Sequence, residues 1–261
     1  MTDAHFEYLL RLGDNALVLG HRLSEWCGHA PVLEEDIALT NLALDLVGQA
    51  RWLLSHAGAI EGRGRSEDDL AFLRREHEFR NVLLVEQPNG PTTGGSAGRG
   101  GDFGITMARQ WLFDTWYVEL LRRLVDSSDA ELAAIAAKAL KEATYHHRHS
   151  TEWVIRLGDG TEESHRRMQD ALNAMWRFTG ELFVSDDVDR RVVEAGIGPD
   201  PRSLVDPWNA AIDEVLAEAT LTRPPDGWMP DGGKRGEHTE HLGYLLAEMQ
   251  HLQRTHAGAQ W

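Results

Sequence analysis

Cysteine, cationic side chains and long apolar runs are what this 261-residue sequence has least of. Cys27 is the only cysteine, so neither an internal disulfide nor a cysteine zinc cluster can form, a pattern that suits a reducing compartment. Lys and Arg number 26 against 42 Asp and Glu, a formal charge of −16. Nucleic-acid affinity depends on cations that neutralise phosphates, so this balance argues against it. It argues equally against an anionic membrane surface, while a basic partner would be drawn in by long-range attraction. No run of about 20 apolar residues is present, and MTDAHFEYLL at the N-terminus has no basic region before an apolar stretch. The expectation is a cytoplasmic protein. Alternating strand patterns are nearly absent as well, which leaves helices.

What is present is an ordinary globular balance, 42% hydrophobic and 26% charged residues, with ample length for a core. Helical periodicity predicts a first helix over 5–27, and a second over 33–57 behind Pro31. The second is apolar almost all round, through Ile37, Leu39, Leu42, Leu44, Leu46, Leu53 and Leu54. Such a helix should be buried among several others. A short helix is expected over 67–80, then a Gly- and Pro-rich loop over 87–104. Helices resume over 103–126, 129–157 and 162–184, the last capped by Thr161. A short segment near 186–196 and helices near 204–220 and 237–255 complete the chain. The pattern predicts an all-α fold in a single domain, residues 1–261. Two long hairpins, about 5–57 and 103–157, form its core, and a helical extension follows over 161–256.

Two hairpins of this kind suit a ferritin-like four-helix bundle. There, a bridged metal pair is held by Glu-x-x-His on two helices and one carboxylate on each of two others. Acidic residues stand at matching places: Asp14 lies 31 residues before Asp45, and Asp114 lies 28 before Glu142. Separations near 30 bring mid-helix positions level across an antiparallel hairpin. The nitrogen ligands do not follow. The frame from Glu142 ends in Tyr145, and the frame from Asp45 ends in Gly48. Glycine offers no ligand atom, and a tyrosine must first lose a proton with a pKa of about 10. Asp14, Asp45, Gly48, Asp114, Glu142 and Tyr145 therefore read as vestigial metal-site positions, with no metal expected. The plainer reading, with 42 acids in the chain, is that these carboxylates are surface or hydrogen-bonded residues. If they face inward, nearby charges must compensate them. Lys138, one turn before Glu142, and His146, on the apolar stripe with Ala139, Ala143 and Trp153, are the candidate polar partners. Glu142 with His146, four apart, keeps open a rearranged metal site.

Other motifs carry less. Glu162-Glu163-Ser164-His165 sits in a first helical turn, where acids meet the helix dipole. Glu248-Met249-Gln250-His251 has no matching frame and reads as a solvated face. His238 and His241 read as capping or interface polarity. Gly232-Gly233-Lys234-Arg235-Gly236 ahead of a helix is a generic anion-binding signal. The loop at 94–104 matches neither the phosphate-binding loop nor the dinucleotide fingerprint. Cys27 beside His29 has no identifiable orienting group for nucleophilic chemistry.

Several strings carry a family likeness: RLGDNALVLGHRLSEWCGHAPVLEEDIALTNLALDLVGQAR, LLVEQPNG, KEATYHHRHS, WRFTGELF and GGKRGEHTEHLGYLLAEMQHLQR. Across nearly the whole chain they resemble the C-subunit family of ring-1,2-phenylacetyl-CoA epoxidase, with 90–101 looking like a local insertion. The resemblance implies a ferritin-like bundle within an NADPH- and O2-dependent monooxygenase of aerobic phenylacetate degradation. In that family the A subunit holds the di-iron centre and binds the CoA thioester. The C subunit is its structural, non-catalytic partner and holds no cofactor of its own. A small B subunit bridges the assembly, and a reductase with flavin and an iron–sulfur cluster supplies electrons from NADPH. Two other readings stay open, a di-metal carboxylate oxidase active in its own right and a free-standing helical binding protein. Trp228 and Trp261, near loops and the terminus, are candidate interface aromatics.

Overall fold

Helix starts follow caps written in the sequence. Ser66 forms a capping box with Asp69, Asp102 accepts from the Ile105 N–H, Asp129 accepts from the Glu131 and Leu132 N–H groups, and Thr161 accepts from the Ser164 N–H. The computed structural model describes residues 2–90 and 101–259, and among these it is helical with no β-strand. The helices are α1 (Thr2–Ser24), α2 (Leu33–Glu61), α3 (Glu67–Phe72), α4 (Leu83–Glu86), α5 (Phe103–Leu124), α6 (Ala130–Gly158), α7 (Glu162–Trp176), α8 (Asp187–Glu194), α9 (Val205–Glu218), α10 (Glu240–Met249) and α11 (His251–Thr255). Among the described residues no helix is long and apolar enough to cross a membrane. The all-α expectation holds. Most of the glycine-rich loop, the segment 91–100, lies outside the described residues, as does Trp261.

The chain divides into two compact units, Met1–Gln87 with Asp231–Trp261, and Pro88–Pro230. In the first, α1 and α2 form a long hairpin, and α3 and α4 pack onto it. Its core is aliphatic: Leu9, Leu17 and Leu23 of α1 lie against Leu39, Leu46 and Leu54 of α2, all buried. Gly13 lets the two helices approach, because a Cβ there would stand 2.8 Å from Leu54 Cδ2. The hairpin ends at Gly62, whose φ of 69° is the left-handed conformation that closes a helix.

Three predicted helices are interrupted, two of them for a visible reason. The helix expected over 67–80 stops at Phe72. Beyond it the Arg74 side chain reaches back to the Leu70 carbonyl and inward to Asp14. The helix expected over 237–255 breaks at Gln250, whose buried amide donates to the Ala71 and Arg74 carbonyls at 3.0 Å each. The helix expected over 162–184 ends at Trp176, and 180–183 is a short 3-10 turn.

The second unit is built on α5 and α6, with α7 and α9 packed against both. From Gly104 to Leu124, α5 is buried on nearly every side, including Arg109, Gln110, Asp114 and Thr115. An element so enclosed places its polar residues where each must find a hydrogen-bond partner. Trp208 of α9 does so with its indole N–H on the Leu112 carbonyl at 3.2 Å.

Candidate functional site: buried polar networks

In the first unit the Asp14 carboxylate, 0% exposed, is fully engaged. Arg74 forms a two-pronged pair with it, NH1 standing 2.9 Å from Oδ2 and NH2 bonding Oδ1. The Arg80 backbone N–H adds a third bond to Oδ2 at 2.8 Å. The guanidinium itself also donates to the Glu78 carbonyl at 3.0 Å and lies 4.3 Å from the Phe79 ring centre. Taking two charges from water is costly, and only such geometry and added bonds repay it.

A second network in the same unit surrounds Glu86, at the end of α4 and also 0% exposed. It accepts from Asn81 Nδ2 at 2.9 Å, from the Thr239 N–H at 2.6 Å and from the Thr239 hydroxyl at 2.7 Å. His238 Nδ1 stands 2.8 Å from Glu86 Oε2, and its Nε2 stands 3.1 Å from the Phe79 carbonyl oxygen. Both ring nitrogens thus face acceptors, the arrangement an imidazolium satisfies. Burial opposes the charge on His238, but the Glu86 hydrogen bond and charge, with the Phe79 carbonyl and Asp14, outweigh it and raise its pKa. Arg22 closes the cluster by donating to the Glu86 carbonyl at 3.0 and 2.7 Å and to the His241 carbonyl at 3.1 Å. The segment before α10 is held on the same spot by close backbone approach. A Cβ at Gly233 would stand 2.2 Å from the Asn81 carbonyl oxygen, and one at Gly236 2.1 Å from that of His77. The GGKRG glycines Gly233 and Gly236 therefore serve packing against 77–83.

In the second unit the buried acid is Asp114, 1% exposed. Gln110 Nε2 donates to Oδ1 at 2.8 Å, and Ser150 Oγ of α6 donates to Oδ2 at 2.9 Å. Burial pushes the carboxyl up to about 7, against the opposing His146 charge and the bonds from Ser150 and Gln110. His146 is 0% exposed. Burial, then the charges of Glu142 and Asp114, raises the pKa of the enclosed Tyr117 phenol.

The other residues singled out from sequence fall elsewhere. Asp45, Gly48 and Glu142 are half-buried and Lys138 is exposed. Tyr145 is 46% exposed, with the Arg148 guanidinium 5.3 Å from its ring centre. The buried ring on this part of α6 is one residue further on, at His146. His165 Nδ1 donates to the Gly158 carbonyl at 2.7 Å, and Glu163 pairs with Arg166 and Arg167. Glu248, His251 and Cys27 are exposed. Trp228 is 77% exposed beside Arg177. Sequence reasoning missed Arg74, Glu86, Gln110 and Ser150. Ser150 was legible in principle, since it stands four residues after His146 on the buried stripe of α6.

Two comparisons with known proteins bear on this arrangement. The family described as "Phenylacetic acid catabolic protein" matches residues 1–261. The chain is also 54% identical over 254 residues to a protein of Escherichia coli (strain K12) named as the C subunit of 1,2-phenylacetyl-CoA epoxidase, covering 97% of this chain and 98% of that one. Identity at this level along both lengths leaves no room for a shared fragment on a different scaffold, and the chain belongs to the phenylacetic acid catabolic protein family.

Proposed function

We propose that this chain is the non-catalytic C-type subunit of a 1,2-phenylacetyl-CoA epoxidase. In this reading it pairs with and stabilises a di-iron catalytic A subunit in the cytoplasm. A small B subunit bridges the complex, and a flavin and iron–sulfur reductase feeds it electrons from NADPH. Its fold in this reading is the ferritin-like four-helix bundle of that family. The observation that carries the reading is the full-length identity to a named C subunit.

The chemistry of the buried donors supports a helper's role. A carboxylate-bridged metal pair needs inward carboxylates and two imidazoles from Glu-x-x-His frames. Here Asp14 already meets a guanidinium and a backbone N–H. A cation fixed on that carboxylate opposes the approach of a second, divalent one. Asp114 is satisfied by an amide and a hydroxyl, and burial favours its protonated form. The frame positions 48 and 145 hold glycine and an exposed tyrosine. These residues do not fit a di-iron group. Asp14, Asp45, Gly48, Asp114, Glu142 and Tyr145 are accordingly proposed as remnants of a metal site, kept as structural polarity where buried.

A second reading, an oxidase with a rearranged ligand set, draws on the enclosed Asp114 and His146 charges beside Glu142. Aerobic iron loading separates the two. The subunit reading expects no stoichiometric iron in the purified chain and stable co-purification with the catalytic subunit. About two irons per chain, lost together in a His146→Ala variant, would favour the oxidase.

A further inference from the structure

A helix that is apolar all round ought to be enclosed, yet α2 is not. Its buried face carries Leu39, Leu42, Leu46, Leu53 and Leu54. On the opposite side Leu33 is 71% exposed, Ile37 55%, Leu44 64% and Val47 37%. At 100° per residue these four fall on one stripe, with Thr40 between them and Gly48 at its edge. A Cβ at Gly48 would meet nothing within 4 Å, so the stripe is open to the approach of another backbone. Among the described residues, the other large exposed apolar side chains are Val32, just ahead of the same helix, and the scattered Leu73, Tyr145, Val193, Trp228, Tyr244 and Leu252. Four aliphatic side chains aligned over four helical turns are a different matter from scattered ones, because contiguous apolar surface of this kind marks an interaction site.

The rim identifies the kind of partner. Glu34, Asn41 and Asp45 run down one flank of the stripe, and Glu34 is exposed. The first cation along the face, Arg51, is turned to Glu67 at 3.2 Å. A second copy of the chain would bring these acids against their own counterparts, on a molecule already at −16. Like charges facing one another across an interface select against such a pairing.

We infer that the α2 stripe from Leu33 to Val47 is the docking surface for a different polypeptide, one presenting an aliphatic helix face bordered by lysine or arginine. Resting on the subunit role proposed above, that polypeptide is the catalytic subunit. Leu44, at the middle of the stripe, is the anchor. Its aliphatic neighbours exclude water, and Glu34 and Asp45 set orientation and association rate.

The test uses the full-length chain and the purified catalytic subunit, with the dissociation constant measured for wild type, Leu44→Glu, Ile37→Glu and a control, Tyr244→Glu, on a separate exposed site. Loss of a central anchor weakens such complexes by about 30-fold or more. That loss is expected for Leu44→Glu and Ile37→Glu, with Tyr244→Glu unchanged. Because the altered side chains are exposed, the variants should retain the wild-type helical circular dichroism. Hydroxyl-radical footprinting of the unaltered chain gives an independent readout, with protection of Leu33, Ile37 and Leu44 on mixing. Tight wild-type binding that survives both charge insertions, without protection at these residues, overturns the docking face and leaves the subunit role standing. Absence of wild-type binding overturns both. Self-association of the chain that Leu44→Glu abolishes would overturn the commitment to a different partner.

Discussion

Glu86 and His238, 152 positions apart in the chain, meet side chain to side chain at 2.8 Å with neither exposed to solvent. The ring's second nitrogen faces the Phe79 carbonyl oxygen. This contact fastens the segment ahead of α10 to the end of α4. Its charge state gives the fold a pH dependence whose sign can be worked out.

His238 has a folded pKa raised above its ordinary 6.5. Its contribution to stability is therefore fully present below about 6.5 and is lost as pH rises through the raised value. A His238→Gln variant should lack this slope. Urea midpoints measured between pH 6 and 9 should converge at the alkaline end, with wild type ahead at the acidic end. Parallel curves would show that the ring is neutral in the fold.

Asp114 contributes with the opposite sense to that of an ion-paired carboxylate. Its folded pKa is raised from 3.8 to about 7, so between those values the folded state holds a proton that the unfolded state has released. Stability from this group falls as pH rises from about 4 to about 7 and is level above. Against Asp114→Asn, which cannot titrate, wild type should lose ground over that interval in paired thermal melts. A constant difference between the two melts across the interval would contradict the assignment.

Arg74 supplies the charge that makes Asp14 tolerable inside the first unit. Arg74→Met leaves a buried carboxylate with the Arg80 N–H alone from its three bonds. Breaking such a pair costs about 3–5 kcal/mol. Arg74→Lys should recover only part of this, because an ammonium cannot reproduce the two-pronged contact. Equilibrium urea denaturation measures both.

How much of this was legible beforehand depended on range along the chain. The long helices were, because apolar spacing and the caps Asp102, Asp129 and Thr161 are local signals. The breaks at Phe72 and Gln250 were not, since they are set by bonds to residues far away in sequence, Arg74 to Asp14 and Gln250 to Ala71. Asp14 and Asp114 could be singled out by spacing, but the cation that pairs with Asp14 could not, because nothing near Asp14 in sequence points to position 74. On α6, placing His146 on the apolar stripe identified the buried ring, while the frame ending at Tyr145 led to an exposed one. The apolar circumference of α2 was visible too. Which part of it the chain itself leaves uncovered was not.

The metal-free reading is open to a direct check on the same residues. The purified chain and its Glu142→Ala variant should show the same background iron after aerobic loading, since the account gives Glu142 no ligand role. Stoichiometric iron in the wild type alone would contradict it.

The subunit role itself is tested by assaying epoxidation of phenylacetyl-CoA, with reductase, NADPH and oxygen, in three preparations: the catalytic subunit alone, this chain alone, and the two together. Product should form only where the catalytic subunit is present, and faster or for longer when this chain accompanies it. Epoxide made by this chain in the absence of the other would contradict the assignment outright.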